Sequence, residues 1–206
     1  MPDVVYTIGH STHSMEKLIN LLTAHHVTAV ADVRSHPFSR FNPQFNRKNM
    51  HPVLKTAGIS YVFLGLELGA RPEDRTCYVD GTVQYDRLAR TVLFQEGLRR
   101  IVEGARRYQI ALLCAEKDPL TCHRSILVCR HLVTRGIGVQ HILEDGRLES
   151  HDEALTRLLK ELGLPERDLI RSRDDFIIEA YDRRGQQIAY TQKDYSPEEP
   201  LREAQR

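Results

Sequence analysis

The residues of this chain that could carry acid–base or anion-binding chemistry fall in four short segments that are far apart in sequence. Histidines and carboxylates move protons, while arginine and lysine side chains and helix N-termini hold phosphate and other anions. Three of the segments directly follow a run of apolar residues. The fourth lies in a polar stretch that comes after a further apolar run. They contain His10 and Ser11; Asp32, Arg34 and Ser35; Arg71; and Cys114, Glu116, Lys117 and Asp118.

The elements that would position these segments can be predicted from the spacing of apolar residues. Runs of β-branched and other apolar residues predict strands over 4–10, 28–33, 59–64, 110–114 and 138–143. Apolar residues at helical spacing predict helices over 14–26, 47–57, 85–108, 122–134 and 151–162. Residues 65–81 show no clean period and are predicted to form a long loop or a lid.

This alternation predicts an α/β fold, with a mainly parallel sheet and helices on both faces. Ligands of such folds bind beyond the carboxyl ends of the strands. Since the four polar segments follow strands, we expect them to share one rim of the sheet.

At this rim, the candidate residues divide by chemistry into two groups. A structural role is the alternative for each of them; Asp32 and Arg34, for example, could form a salt bridge without chemistry. The catalytic candidates are His10, Asp32, Glu116, Cys122 and His123, and the substrate-binding candidates are Ser11, Arg34, Ser35, Arg40, Arg71, Lys117 and Arg124.

Cys122 has two competing interpretations. It lies where a helix is predicted to begin, and the helix dipole and two cationic neighbours would lower the pKa of its thiol and make it a nucleophile. Alternatively, it shares one helical face with Ile126, Cys129 and Val133, which would bury it in the core.

A metal site is a further alternative, because Cys114, Glu116, Cys122, His123 and His10 could gather near the rim. Their spacing matches no familiar zinc pattern, so no metal is assigned. The common dinucleotide, P-loop, zinc-protease and hydrolase-elbow motifs are also missing from the sequence, and no cofactor is assigned.

Positive charge is concentrated between residues 33 and 66, which hold five Lys and Arg, two His and no acidic residue. Within this stretch, Phe38, Phe41 and Phe45 alternate with Arg40, a mixture that lets bases stack while a guanidinium binds phosphate. The alternative is that the phenylalanines fasten a long loop to the core. The stretch predicts contact with a nucleotide or another polyanion.

The composition of the chain limits the classes of protein to which it can belong. Its 206 residues carry 29 Lys and Arg against 28 Asp and Glu, a net charge of +1, so the molecule as a whole is not an obvious polyanion binder. No apolar run reaches the roughly 20 residues of a membrane span, and no secretion signal is evident. We therefore expect a cytoplasmic protein with no membrane partner and with its four cysteines reduced.

The last part of the chain differs from the rest. Residues 165–206 hold eight basic and ten acidic residues and few aliphatic ones. We expect residues 1–164 to form the α/β domain, and 165–206 to form a charged appendage that docks through 176–178 and 188–190 and frays after about residue 197.

Several of these motifs together resemble a known family, the bacterial and archaeal domain of unknown function 488. The likeness covers roughly residues 4–150 and is most specific between Cys114 and Arg124. It rests on Thr7-Ile8-Gly9-His10-Ser11, Asp32-Val33-Arg34, Pro37, Ser39-Arg40, Tyr61, Leu68-Gly69, Leu113-Cys114-Ala115-Glu116-Lys117-Asp118-Pro119 and Cys122-His123-Arg124. The resemblance implies a cytosolic α/β protein and leaves the reaction open.

The sequence thus favours an enzyme that acts on a phosphate-bearing substrate, a nucleotide or nucleic acid. Arg34, Arg40 and Arg124 would hold phosphate, His10 or His123 would move a proton, and Glu116 or Asp32 would orient a histidine or act as the base. The alternatives are a non-catalytic nucleic-acid-binding or regulatory module and a metal-dependent enzyme.

Overall fold

A computed structural model describes residues 3–192 and contains a six-stranded sheet and a two-stranded hairpin. The six strands are β1 (Val4–Gly9), β2 (Ala29–Asp32), β3 (Ser60–Phe63), β6 (Ile110–Cys114), β7 (Gly138–Ile142) and β8 (Leu148–Ser150). The hairpin pairs β4 (Tyr78–Val79) with β5 (Thr82–Val83).

Eight α-helices surround these strands in the described residues. They are α1 (Met15–Ala24), α2 (Arg47–Thr56), α3 (Gly65–Leu68), α4 (Tyr85–Arg90), α5 (Val92–Ala105), α6 (Arg130–Val133), α7 (His151–Glu161) and α8 (Arg173–Ile188). Short 3-10 helices span Pro43–Phe45, Arg75–Cys77 and Pro119–Thr121, and a π-helix spans Arg124–Cys129. Within residues 3–192, no helix has the length and apolar character needed to cross a bilayer.

The large sheet has the strand order β3-β2-β6-β1-β7-β8, and every pairing is parallel except that of β7 with β8. β6 is buried along its whole length, as expected of a central strand covered on both faces. Helices α1 and α2 pack on one face, while α5, α6 and the π-helix pack on the other. The predicted α/β fold with a mainly parallel sheet is therefore confirmed.

Local sequence signals fix several of these boundaries. The Ser14 side chain accepts a hydrogen bond from the Lys17 N–H and caps α1, and Ser150 forms a capping box with Glu153 at the start of α7. Gly58 follows α2 with a φ of 75°, which a glycine adopts without strain.

The single helix predicted over 85–108 is wrong, because the chain breaks at Thr91. This residue is extended and its hydroxyl accepts a hydrogen bond from the Phe94 N–H, which starts a new helix. A threonine side chain that caps a helix competes with continuation of the helix before it. The apolar period runs through both pieces and does not reveal the break.

Other elements also differ from the sequence prediction. Residues 65–81, predicted to form a long loop or a lid, contain α3, a 3-10 turn and β4. The helix predicted from residue 122 begins as a π-helix at Arg124, and β8 was not predicted. A π-helix is rare and frequently occurs at functional sites.

The chain after residue 165 forms α8, whose Phe176 and Tyr181 are buried against α7 and the π-helix. Beyond α8, the Tyr190 carbonyl accepts a hydrogen bond from the Val83 N–H, so this segment lies along the hairpin. The expected fraying after residue 197 lies outside the described residues.

Candidate functional site

Three neighbouring strands deliver polar residues to one end of the large sheet. β6 lies between β1 and β2, so His10 after β1, Cys114 at the end of β6 and Asp32 at the end of β2 are adjacent. The ladder continues past the strands, because the N–H groups of His10 and Ser11 donate to the carbonyls of Cys114 and Ala115 over 2.9 Å. The three polar segments thus lie together despite their distance in sequence.

Gly9 allows the chain segments at this end to approach closely. A Cβ atom on Gly9 would lie 1.8 Å from the Glu116 carbonyl oxygen, so no side chain fits there without movement of the backbone. Ser11, two residues later, has a φ of 47°, which is uncommon for a residue other than glycine. Such conformations persist where the surroundings hold them, and they cluster at functional sites.

A buried ion pair lies beneath this end of the sheet. Arg34 donates through Nε and Nη2 to the two carboxylate oxygens of Asp32, at 2.8 and 2.6 Å. Arg34 Nη2 also donates to the Phe45 carbonyl, and the Tyr61 hydroxyl donates to Asp32 Oδ2 over 2.8 Å. Asp32 is completely buried and Arg34 is 6% exposed, so these contacts hold the two charges in place.

His10 is held by three neighbours of different kinds. Its Nδ1 lies 2.9 Å from the Ser11 carbonyl oxygen and its Nε2 lies 3.1 Å from Arg34 Nη1, while Phe45 stacks on the ring. Nδ1 therefore donates to Ser11 and Nε2 accepts from Arg34, which is the neutral tautomer. Burial, with the charge of Arg34, lowers the pKa of His10 to about 4, so the ring is uncharged near neutral pH.

Beside this network lies a cluster of Cys114, Cys122 and His123, all buried. Nδ1 of His123 lies 3.8 Å from the Cys114 sulfur and 3.9 Å from the Cys122 sulfur. The other ring nitrogen, Nε2, donates to the Val33 carbonyl over 3.0 Å. Sequence reasoning placed Cys114 at the rim and did not count it among the catalytic candidates.

The two thiols of this cluster have opposite pKa shifts. Burial and the neighbouring Cys122 raise the pKa of Cys114. Burial also raises the pKa of Cys122, but its contacts with Cys114 and His123 and the charge of Arg124 outweigh this, so its pKa lies well below the ordinary value. A lowered pKa is what the nucleophile interpretation of Cys122 predicts, and burial at 1% exposure is what the core interpretation predicts.

Glu116 connects the cluster to solvent. Its Oε2 lies 3.0 Å from the Cys122 sulfur, while the residue as a whole is exposed. Partial burial of the carboxyl and the nearby Cys122 charge raise the pKa of Glu116. A carboxyl group with a raised pKa in an open site is suited to proton transfer.

Arg124 lies underneath the loop that carries Glu116. Its Nη1 and Nη2 donate to the carbonyls of Glu116 and Lys117 over 2.7 and 3.1 Å, and the residue is 1% exposed. The structure therefore places Arg124 where it holds the loop, away from the solvent position that phosphate binding would require.

Two adjoining cavities open at this end of the sheet. The first, of about 370 Å³, is lined by His10, Ser11 and Lys117 among others, and the second, of about 360 Å³, by Cys114 and His123 among others. They share the residues Arg34, His36, Phe38, Ala115 and Glu116. Glu116 is the only carboxylate in the lining of either cavity within the described chain.

The remaining binding candidates lie around the second cavity and on the loop over the first. Ser35 Oγ accepts from the Arg71 N–H over 3.0 Å, and the Arg71 guanidinium lies over the Tyr190 ring at 4.4 Å. Lys117 forms an exposed ion pair with Glu144. The sequence analysis did not identify Tyr61, Tyr85 or Tyr190 as site residues. Tyr85 and Tyr190 line the second cavity.

The aromatic residues of the basic stretch divide into two groups. Phe45 is completely buried, whereas Phe38 and Phe41 are 67% and 88% exposed. Arg40 is also exposed, and no carboxylate within residues 3–192 forms a salt bridge with it. The outer half of this loop thus presents aromatic rings and positive charge to solvent.

Comparison with known proteins identifies one family. A family model described as domain of unknown function DUF488 matches residues 14–130, which is more than half of the 206 residues. The matched region includes Asp32, Arg34 and the segment from Cys114 to Arg124. Searches among curated proteins and among solved structures found no match. The chain therefore belongs to the DUF488 family.

Proposed function

We propose that the chain is an enzyme that acts on a phosphate-bearing substrate, a nucleotide or nucleic acid, in the two adjoining cavities. The observation that carries this proposal is the position of Glu116: a single carboxyl group with a raised pKa faces cavities that are otherwise lined by cationic and neutral groups. An anionic substrate would be attracted to these walls, and Glu116 would serve as the general acid or base.

Substrate contacts are assigned to the accessible cations. Lys117 and Arg71 are exposed at the two cavities, and Arg40 is exposed on the neighbouring loop. We assign Arg34 and Arg124 a positioning role, since the Arg34 donors are bound to Asp32 and His10 and both Nη groups of Arg124 are bound to backbone carbonyls. His10 is placed as a neutral acceptor, and Asp32 holds Arg34.

Glu116→Gln is the decisive variant for catalysis. Binding of a nucleotide or short oligonucleotide is measured by fluorescence anisotropy, and turnover of a nucleotide panel by chromatography. We expect the variant to bind as well as the parent and to lose about 10²–10⁴-fold in turnover, the usual contribution of a general acid or base. Glu103→Gln, which removes an exposed carboxylate on α5 away from both cavities, is the matched control.

The competing function is a non-catalytic nucleic-acid-binding module, which the exposed Phe38 and Phe41 favour. Such a module would bind oligonucleotides with an affinity that falls steeply as salt rises. Salt-sensitive binding, with no turnover of any nucleotide and no effect of Glu116→Gln, would establish it in place of the enzyme.

A further inference from the structure

Cys114, Cys122 and His123 offer three metal-ligating atoms in one place. Cys114 ends β6, and the other two residues follow the 3-10 turn that leads to the π-helix. One sulfur or nitrogen from each of the three lies within 4.8 Å of the others, and all three side chains are buried. Two thiols and an imidazole form the kind of ligand set that zinc prefers.

The distances fit a tetrahedral ion. Zinc binds sulfur at about 2.3 Å and nitrogen at about 2.0–2.1 Å, so a tetrahedral site separates a sulfur ligand from a nitrogen ligand by about 3.6 Å. The two sulfur–nitrogen distances here are 3.8 and 3.9 Å. A contraction of a few tenths of an ångström would bring these two distances to the tetrahedral value, and the two sulfurs lie within 4.8 Å of each other.

The orientation of His123 also matches that of a ligand. When the ring is neutral with its proton on Nε2, that N–H donates to the Val33 carbonyl and the lone pair of Nδ1 is directed at the two sulfurs. Histidine ligands of metals almost always donate their second ring nitrogen to a carbonyl or carboxylate in this way. The Arg124 N–H, 3.4 Å from the Cys122 sulfur, would further stabilise a thiolate.

The fourth coordination position would face the second cavity. Cys114, His123 and Glu116 all line this cavity, and Glu116 lies beside the Cys122 sulfur. Catalytic zinc sites keep one position open for water, and zinc deaminases of nucleobases combine cysteine and histidine ligands with a glutamate that is not a ligand. In those enzymes the glutamate lies two residues after the first ligand, which is the spacing of Cys114 and Glu116 here.

We propose that Cys114, Cys122 and His123 bind a zinc-class divalent cation whose open position holds a water molecule for Glu116 to deprotonate. The role of Glu116 rests on the function proposed above, whereas the binding of the ion does not. In the hydrolytic step, the water gives a proton to the Glu116 carboxylate and its oxygen forms a bond to the substrate. The bond between the attacked substrate atom and the leaving group then breaks, and the leaving group departs with its electron pair and the proton from Glu116.

Metal content and titration test the site directly. The protein is purified without chelators and analysed for metals, then stripped and titrated with Zn²⁺ and with Co²⁺. We expect one ion per chain and a Co²⁺ complex with thiolate-to-metal charge-transfer absorption and tetrahedral visible bands. Cyanide or azide, added to the Co²⁺ form, should shift these bands because one position is open.

Matched variants locate the ion. Cys114→Ser and Cys122→Ser should each weaken Zn²⁺ binding by at least about tenfold, since even second-shell changes cost 10–100-fold. Cys77→Ser and Cys129→Ser each remove a buried thiol outside the cluster and should bind Zn²⁺ like the parent. Equal weakening by all four variants would place the ion elsewhere and overturn the proposal.

Other results would overturn it as well. If the parent, with its thiols reduced, binds neither ion, the cluster is not a metal site. If the Co²⁺ bands do not respond to either anion, the fourth position is closed and the catalytic part of the proposal fails. Metal binding without any nucleotide binding would instead defeat the function proposed above and leave the metal site standing.

Discussion

At the scale of single residues, Tyr61 completes the hydrogen bonds of a buried carboxylate. Its hydroxyl donates to Asp32 Oδ2, the same oxygen that Arg34 Nη2 contacts. Burial and the Asp32 charge raise the pKa of Tyr61, so the hydroxyl stays protonated and remains a donor. Because a buried ion pair depends on such additional bonds, Tyr61 belongs to the support of the site.

Tyr61→Phe should lower the free energy of unfolding by about 1.5–3 kcal/mol, the usual value of a hydrogen bond to a charged group. Urea denaturation at neutral pH measures it. Tyr108→Phe, at a residue that is 47% exposed, is the control and should change stability by less than about 0.5 kcal/mol. A loss for Tyr61→Phe no larger than that of the control would show that the hydroxyl adds nothing to the network.

Gly9→Ala tests the close approach of the first strand to the Glu116 loop. The new Cβ would overlap the Glu116 carbonyl, which lies 1.8 Å from its position, so this loop must move. We expect a loss of more than about 1 kcal/mol in stability, the lower end of the cost of overpacking, and altered ligand binding. Gly104→Ala is the control. Its new Cβ would meet only the end of the Ile110 side chain, and alanine has a higher helix propensity than glycine.

Unchanged stability and unchanged ligand binding in Gly9→Ala would mean that the loop has room to shift. Crystals or amide exchange of the variant would then show the loop in its new place. The control variant should retain the parent's binding in either case.

At the scale of elements, the loop between β2 and α2 combines an anchor with an exposed surface. Phe45 is buried and stacks on His10, while Phe38 and Phe41 extend into solvent near the first cavity. Asn46 Oδ1 accepts from the Ser39 N–H over 2.6 Å and ties the middle of the loop to the residue that precedes α2. The loop is thus held at its base and free at its outer surface to contact a ligand.

Phe41→Ala should weaken binding of a single-stranded oligonucleotide by about 5- to 150-fold, because stacking of a base on an aromatic ring is worth about 1–3 kcal/mol. Anisotropy titrations at fixed salt measure the change. Stability should stay within about 0.5 kcal/mol of the parent. Val92→Ala, an exposed apolar residue on α5, is the matched control and should bind normally.

In contrast to Phe41→Ala, Phe45→Ala should lower the stability of the protein, by about 3–5 kcal/mol, because it creates a cavity in the core. Equal oligonucleotide affinity in Phe41→Ala and the parent would remove this loop from the proposed binding surface.

At the scale of the whole molecule, a chain of buried hydrogen bonds connects the sheet to the last helix. Thr7 of β1 contacts His141 of β7 over 2.7 Å, His141 contacts His151 of α7 over 3.0 Å, and His151 contacts the Tyr181 hydroxyl of α8 over 2.6 Å. The guanidinium of Arg130 lies over the Tyr181 ring. We propose that residues 165–206 are an appendage of the α/β domain formed by 1–164. The buried hydrogen bonds described here would help to dock this appendage on the domain.

The buried histidines in this series of hydrogen bonds predict that the protein loses stability at acidic pH. Burial lowers the pKa of His151 to about 4, below its ordinary value of 6.5. As pH falls below 6.5, His151 becomes protonated in the unfolded chain but stays neutral in the folded chain. The stabilisation present above pH 6.5 is therefore lost between pH 6.5 and 4. The loss from this residue reaches about 2 kcal/mol by pH 5. His141, which faces it, has its pKa lowered by burial as well and adds to the effect.

Urea denaturation at pH 7.5 and pH 5 measures this dependence. His151→Gln should reduce the loss between the two pH values by about 2 kcal/mol, whereas His26→Asn, at an exposed residue, should leave it unchanged. An identical loss in His151→Gln and the parent would show that His151 does not titrate differently on unfolding.

Much of the α/β architecture can be predicted from the sequence, because the signals that define it are local. Apolar runs such as Ile110–Cys114 specify buried strands, and Ser14 and Ser150 specify helix starts. The rule that ligands bind at the carboxyl ends of parallel strands then brings His10, Asp32 and Glu116 together.

Other features depend on contacts between distant segments, and only the tertiary structure decided them. β6 is inserted between β1 and β2, which brings Cys114 beside both His10 and Val33 and sets His123 against the two thiols. Packing likewise decided that Phe45 is buried while Phe41 is exposed, although both occur in the same aromatic and basic pattern. Residue types and local spacing carry no record of which distant backbone a side chain will meet, and the functional roles at this site depend on that.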